Sequence, residues 1–165
     1  MDLKKQDERF IMQAISLAEA SKNQGNEPFG AILVKDNTIV FTNENQIHIK
    51  SDPTFHAEHG LIREFCQKYK ITDLSEYTLY SSCEPCFMCS GAIVWSKLGR
   101  LVFSAYAKDL DSILGEKEES PCLLVFEHSV WKPQVSGGVL RDKGVQILRS
   151  EEHTSELQSR SRISY

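Results

Sequence analysis

Apolar positions follow two rhythms along this chain. Phe10, Ile11, Ala14, Ile15 and Ala18 recur at three- and four-residue spacing. That is the repeat of one helix face, and it predicts an amphipathic helix over roughly 5–23 with Gly25 as its stop. The runs AILV (31–34) and TIVF (38–41) are short and β-rich; joined across Asp36-Asn37, they predict a hairpin with a tight turn. A polar loop with Asn43, Asn45, Asp52 and Pro53 follows. Helical character resumes over about 55–69, with Thr54 as the N-cap. TLYSS (78–82) predicts a buried strand. Residues 86–97 predict a helix that Pro85 can open, since the first turn does not need its N–H. RLVFSA (100–105) predicts the next strand, and a final helix falls near 139–148. The charged LGEKEES (114–120) and the mixed stretch beyond it show no such period. Strands separated by helices predict an α/β layered domain, with the hairpin adding an antiparallel edge.

The last residues stand apart. RSEEHTSELQS at 149–159 coincides with the translation of a common sequencing-adapter oligonucleotide, and RSRISY after it has no apolar period. The chain is therefore divided into a domain over 1–148 and an adapter-like, non-native tail over 149–165 that carries no weight in fold reasoning. The domain is long enough to bury a core without staples.

Composition then narrows the function. The chain is 41% hydrophobic and 25% charged, ordinary values for a globular protein. No apolar run approaches the roughly 18–20 residues that span a bilayer. The opening MDLKKQDERF lacks an apolar signal core. The five cysteines (66, 83, 86, 89 and 122) are an odd number, and three fall within seven positions. That clustering favours reduced thiols and a metal over a disulfide frame, and so implies a cytoplasmic setting. The net charge is −4, with no dense Lys/Arg cluster. A small-molecule substrate is favoured over a polynucleotide on that ground.

The chemistry concentrates in two motifs. His56-Ala57-Glu58 opens one predicted helix, and Pro85-Cys86-Phe87-Met88-Cys89 opens another. Cysteines three apart on a helix share a face and can grip one ion. The positive end of the helix dipole helps keep both sulfurs ionised. One imidazole and two thiolates supply three ligands, which leaves the fourth place on a zinc ion to water, as in catalytic sites. Water on zinc approaches a pKa of about 7 and becomes a nucleophile at neutral pH. Glu58, two positions beyond His56, can address that water without binding the metal. It can accept the water proton, deliver it to a ring nitrogen, and then protonate the departing ammonia. Cys83 completes a C-x-x-C-x-x-C run. It either ends the preceding strand or closes the site as a fourth ligand, which would make a non-catalytic zinc module. His59, one turn from His56, is either a competing ligand or a pocket-wall histidine. Cys66 and Cys122 read as core thiols.

His-x-Glu followed by Pro-Cys-x-x-Cys is the signature of zinc deaminases. On these residues the chain resembles the cytidine deaminase-like superfamily, within the branch of guanine deaminase, nucleoside deaminases and tRNA-specific adenosine deaminase. NEPFGAILVKD, SDPTFHAE and LYSSCEPCFMCSGAIVW followed by RLVF carry the resemblance, which runs over roughly 5–148. It implies a three-layer α/β/α domain around a five-stranded mixed sheet, one zinc ion per chain, and a homodimer with active sites near the interface. It places His56, Cys86 and Cys89 on the zinc ligands and Glu58 on the proton shuttle. Asn45 falls on the asparagine that contacts the base; Phe29 and Trp95 resemble aromatic pocket residues of the guanine-deaminase type. By themselves, Asn45 reads as a loop residue and the two aromatics as core. After 100–105 the guanine-deaminase type carries an acidic segment that reads guanine, and AKDLDSILGEKEES matches it poorly. Asp109 and Asp111 are either substitutes for it or solvated loop charges. The implied activity is hydrolytic deamination of a nucleobase or nucleoside, with guanine or guanosine leading. Adenosine-to-inosine deamination in tRNA is the alternative.

Overall fold

The computed structural model describes residues 2–114 and 120–149. The charged stretch 115–119 and nearly all of the tail set apart above lie outside these residues. Helix α1 (Leu3–Asn23) starts two residues before the apolar period predicts, because the Asp2 side chain caps it by accepting from Lys4 N–H. Its buried face holds the five periodic residues and also Asp7 and Ser21. Strands β1 (Gly30–Lys35) and β2 (Thr38–Glu44) form the predicted hairpin. Asp36 and Asn37 take φ of 48° and 59°, the left-handed pair that matches the twist of a two-residue turn. The turn is tied back to α1, since Asn37 Oδ1 accepts from Gln6 at 2.8 Å and Arg9 at 2.7 Å.

The rest of the chain runs α2 (Ile47–Lys50), α3 (Ala57–Tyr69), β3 (Thr78–Cys83), α4 (Phe87–Trp95), β4 (Arg100–Ala105), α5 (Ala107–Leu114), α6 (Pro121–Glu127), β5 (Gln134–Ser136) and α7 (Arg141–Leu148). The five strands lie in the order β2-β1-β3-β4-β5. β1 is antiparallel to both neighbours, and β3, β4 and β5 are parallel. α1 and α7 cover one face of this mixed sheet, and α3 and α4 the other. The result is the expected three-layer α/β/α arrangement. Alternation along β3 sends Leu79 and Cys83 into the core beneath α3 and α4, and Tyr80 toward α1. Gly30 is needed where α1 crosses the start of β1: a Cβ there would stand 2.6 Å from Leu17 Cβ and 2.7 Å from Ala18 N.

Several local expectations shift. Thr54 does not cap α3. Its N–H and hydroxyl both bond to Asp52 Oδ1, at 2.9 and 2.7 Å, closing a turn at Pro53. The helix begins later, with His56 in extended conformation at the cap position. α4 is likewise shorter than 86–97, because Cys86 is extended and Lys97 has a φ of 54°. α2, α5, α6 and β5 have no counterpart in the apolar period. β5 is three residues long and exists through its pairing with β4. Pro121 at the start of α6, after Ser120, was a legible helix opening.

One buried polar network ties the α1 layer to the sheet. Arg100 donates to both oxygens of Asp7 at 2.8 and 2.7 Å, and Tyr80 hydroxyl donates to Asp7 Oδ1 at 2.9 Å. Arg100 also reaches Ser136 on β5 at 3.1 Å. Removing one partner of such a pair strands the other charge, which typically costs about 3–5 kcal/mol. Asp7→Ala is therefore expected to lower the thermal midpoint by on the order of 10 °C. An unchanged midpoint in a melting curve would show that Arg100 finds equal satisfaction elsewhere.

Candidate metal centre and active site

Two helix starts meet beside the end of β3. His56 and Cys86 both occupy cap positions, in extended backbone just before α3 and α4. Cys89 lies one turn into α4, on the same side as Cys86. His56 Nδ1 is 3.5 Å from Cys86 Sγ and 3.6 Å from Cys89 Sγ. Zinc bonds of about 2.3 Å to sulfur and 2.0–2.1 Å to nitrogen, at a tetrahedral angle, require an N···S separation of roughly 3.5–3.6 Å. The donor set therefore fits zinc in both chemistry and spacing. Among the described residues, these three form the one group of His, Cys, Asp or Glu side chains close enough to share an ion.

The thiols are polarised against each other. Cys86 is pushed down to about 4, chiefly because the Cys89 thiol hydrogen-bonds to it, with His56 adding to the effect. Cys89 moves the other way, raised by burial and by its bond to Cys86. The backbone N–H of His59 opposes that rise by pointing at the Cys89 sulfur. Cys86 is thus the more readily ionised of the two thiols, and a divalent cation would supply the charge that a second thiolate needs.

Glu58 sits in the first turn of α3 and is fully buried. Its Oε1 accepts a 2.5 Å bond from Ser81 hydroxyl, while Oε2 has no partner among the described residues. Burial is the main cause of its raised pKa, with the Ser81 bond opposing it. Ser81 is a residue the sequence reading passed over. Its position between Leu79 and Cys83 puts a hydroxyl on an apolar side of β3, and a buried hydroxyl needs a partner.

The other candidates separate. Cys83 ends β3, is buried, and is raised well above the usual thiol range by that burial. It stays out of the ligand group. His59 lines a groove with Ile62, Arg63, Cys66, Ala92 and Trp95. Asn45 is wholly buried: its Oδ1 accepts from Ile47 N–H at 3.2 Å, and its Nδ2 has no partner among the described residues. Phe29 packs in the core with Ala57 and Cys83, and its carbonyl accepts from Asn45 N–H at 3.0 Å. Trp95, at the end of α4, is 87% exposed and stands at the edge of the His59 groove rather than in the core. Asp109 is no solvated loop charge. It lies in α5, accepts from Tyr106 N–H and holds Arg141 in a two-pronged ion pair. Asp111 falls in the same helix.

The zinc-binding region of cytidine and deoxycytidylate deaminases matches residues 4–105. The chain belongs to that family. Within this deaminase family, it is 40% identical over 103 residues to guanine deaminase of Bacillus subtilis, across 62% of the chain and 66% of that relative. It is 42% identical over 108 residues to a tRNA-specific adenosine deaminase of Buchnera aphidicola, across 66% of the chain and 67% of that relative. The chain thus spans about two thirds of the length of these curated relatives. Guanine deaminase from Nitrosomonas europaea superposes with a TM-score of 0.76 at 25% identity, over 90% of this chain and 84% of that one. No helix among the described residues is long and apolar enough to cross a membrane.

Proposed function

We propose that this protein hydrolyses the exocyclic amine of a purine base or nucleoside, guanine or guanosine first, using one zinc ion held by His56, Cys86 and Cys89. The observation that carries the reading is the pair of near-equal Nδ1···Sγ distances, 3.5 and 3.6 Å, beside a buried carboxylate with one oxygen uncommitted among the described residues. When bound, zinc makes hydroxide available at neutral pH and polarises the reacting carbon. Glu58 manages the protons. Ser81 holds Oε1, so Oε2 takes one proton from water and delivers it to the ring nitrogen, then carries the second proton, from the hydroxyl newly bonded to carbon, to the leaving amine. Water and the C–NH₂ group become a carbonyl and ammonia. Asn45 presents an amide N–H₂ toward the base, as a purine edge with acceptor atoms requires. Phe29 backs that wall from the core. The unit performing this chemistry is residues 1–148, with 149–165 a non-native tail.

Similarity to the Bacillus subtilis guanine deaminase supports the purine assignment, and the tRNA-specific relative supports adenosine in tRNA as the second reading. The net charge of −4 weighs against the second. Zinc-loaded protein is expected to release ammonia from guanine or guanosine and to leave an anticodon stem-loop unedited. Inosine formed in the stem-loop, with free bases and nucleosides inert, would reverse the assignment.

The exposed surface supports a homodimer. Phe87 and Trp95 on α4 are 57% and 87% exposed, and Leu123 on the adjoining α6 is 53% exposed. Such an apolar face beside the ligand helix fits a second copy of the chain. Light scattering should give the mass of two chains, with Trp95→Ser shifting it toward one. A monomeric, fully active wild-type protein would count against the pairing.

A further inference from the structure

Glu84 stands between the last residue of β3 and Pro85, two positions before the first ligand thiol. It is 1% exposed. Among the described residues, the partners of its carboxylate are neutral donors from later in the chain. Oε2 accepts from Ala107 N–H at 2.9 Å, and Oε1 accepts from the Ser120 hydroxyl and from the Cys122 thiol at 3.1 Å. The Cys122 thiol is kept protonated by burial beside that same carboxylate. Glu84 N–H donates to Ala105 O at 2.8 Å, extending the β3–β4 pairing by one step. The backbone of Glu84 is thus locked to the end of β4, and its side chain reaches the start of α5 and the start of α6. α6 in turn packs on α4, the helix that carries Cys86 and Cys89.

A buried carboxylate whose partners among the described residues are all neutral is expensive to desolvate, and an apolar residue would fill the space at less cost. What the carboxylate supplies and an apolar residue does not is direction. Three donors from two segments fix both oxygens, and with them the peptide that leads into Pro85 and Cys86. Partners one shell outside the ligands set how well ligand atoms are aimed.

We propose that Glu84 is a positioning residue of the metal centre: its carboxylate fastens the loop before Cys86 to Ala107, Ser120 and Cys122, and so holds the Cys86 sulfur at its spacing from His56 Nδ1. This rests on the metal reading given above, but not on any choice of substrate.

The test is the rate at which zinc-loaded protein gives up its metal to a colorimetric chelator, well below the unfolding temperature. Glu84→Gln keeps the shape but sets an amide N–H₂ among groups that donate. It is expected to release zinc about 10- to 100-fold faster than wild type. Ser120→Ala removes one donor and should give a smaller acceleration, and Cys122→Ser, which keeps a donor, should release zinc at the wild-type rate. Asp7→Asn weakens the network on the opposite face of the sheet and is the control for general destabilisation. It should lower the melting midpoint without changing zinc release. Wild-type release from Glu84→Gln, or equal acceleration in Asp7→Asn, would reduce Glu84 to an ordinary packing residue. If Glu84→Gln does not fold, Ser120→Ala alone decides, and wild-type release from it overturns the inference. A wild-type protein that binds no zinc fails differently, removing the metal reading and this inference with it.

Discussion

Glu58→Gln is expected to lower turnover by about 10²- to 10⁴-fold, the range that a positioned proton-transfer group contributes, while the zinc content stays at the wild-type level. The amide fits where the carboxylate was and can still accept from Ser81, so the fold has no reason to change. What it lacks is a site that takes and returns a proton. Metal content and turnover should therefore separate, and elemental analysis beside an ammonia assay measures both. Ser81→Ala should produce a smaller loss in the same direction, because it frees Oε1 without removing the carboxylate. Full turnover by Glu58→Gln would mean that another group moves the proton, and the role assigned to Glu58 would be wrong.

The second large effect is loss of the metal. Cys86→Ala leaves His56 Nδ1 and Cys89 Sγ as the remaining pair from the ligand group. Two protein ligands hold zinc far less firmly than three, and the remaining thiol is the one that burial disfavours as an anion. The variant should lose its zinc on dialysis against a chelator, together with all turnover. Its melting midpoint should match that of metal-stripped wild type, since bound metal stabilises only the folded chain. Cys83→Ala and His59→Ala, by contrast, should keep a full complement of zinc. A variant set in which Cys83→Ala empties the site and Cys86→Ala does not would replace the ligand set proposed here.

These contrasts also show where linear reasoning ends. C-x-x-C-x-x-C at 83–89 offers two equally spaced cysteine pairs. Spacing alone does not choose between them. The choice is made by the backbone: Cys83 is still strand, with its side chain sent into the core, whereas Cys86 and Cys89 straddle the first turn of a helix. His56 and His59 differ in the same manner. The former is held in extended chain at the helix cap, and the latter, already inside the helix, contributes its backbone N–H to the Cys89 sulfur.

The chain's own order of residues determined α1, the Asp36-Asn37 hairpin, the strands over 78–83 and 100–105, and the two motifs that carry His56, Glu58, Cys86 and Cys89. Each depends on neighbours within one or two turns, where apolar period, cap and turn preferences act directly. The fold alone decided what depends on distant partners. Asp7 looks like a helix surface charge until Tyr80 and Arg100, 73 and 93 residues away, close around it. Ser81 and Glu84 look like strand and turn filler until Glu58, Ala107, Ser120 and Cys122 arrive. Trp95 passes for a core residue until the packing of α4 turns it outward. A buried polar group is stable only with its partner, and the partner's place is a property of the whole sheet.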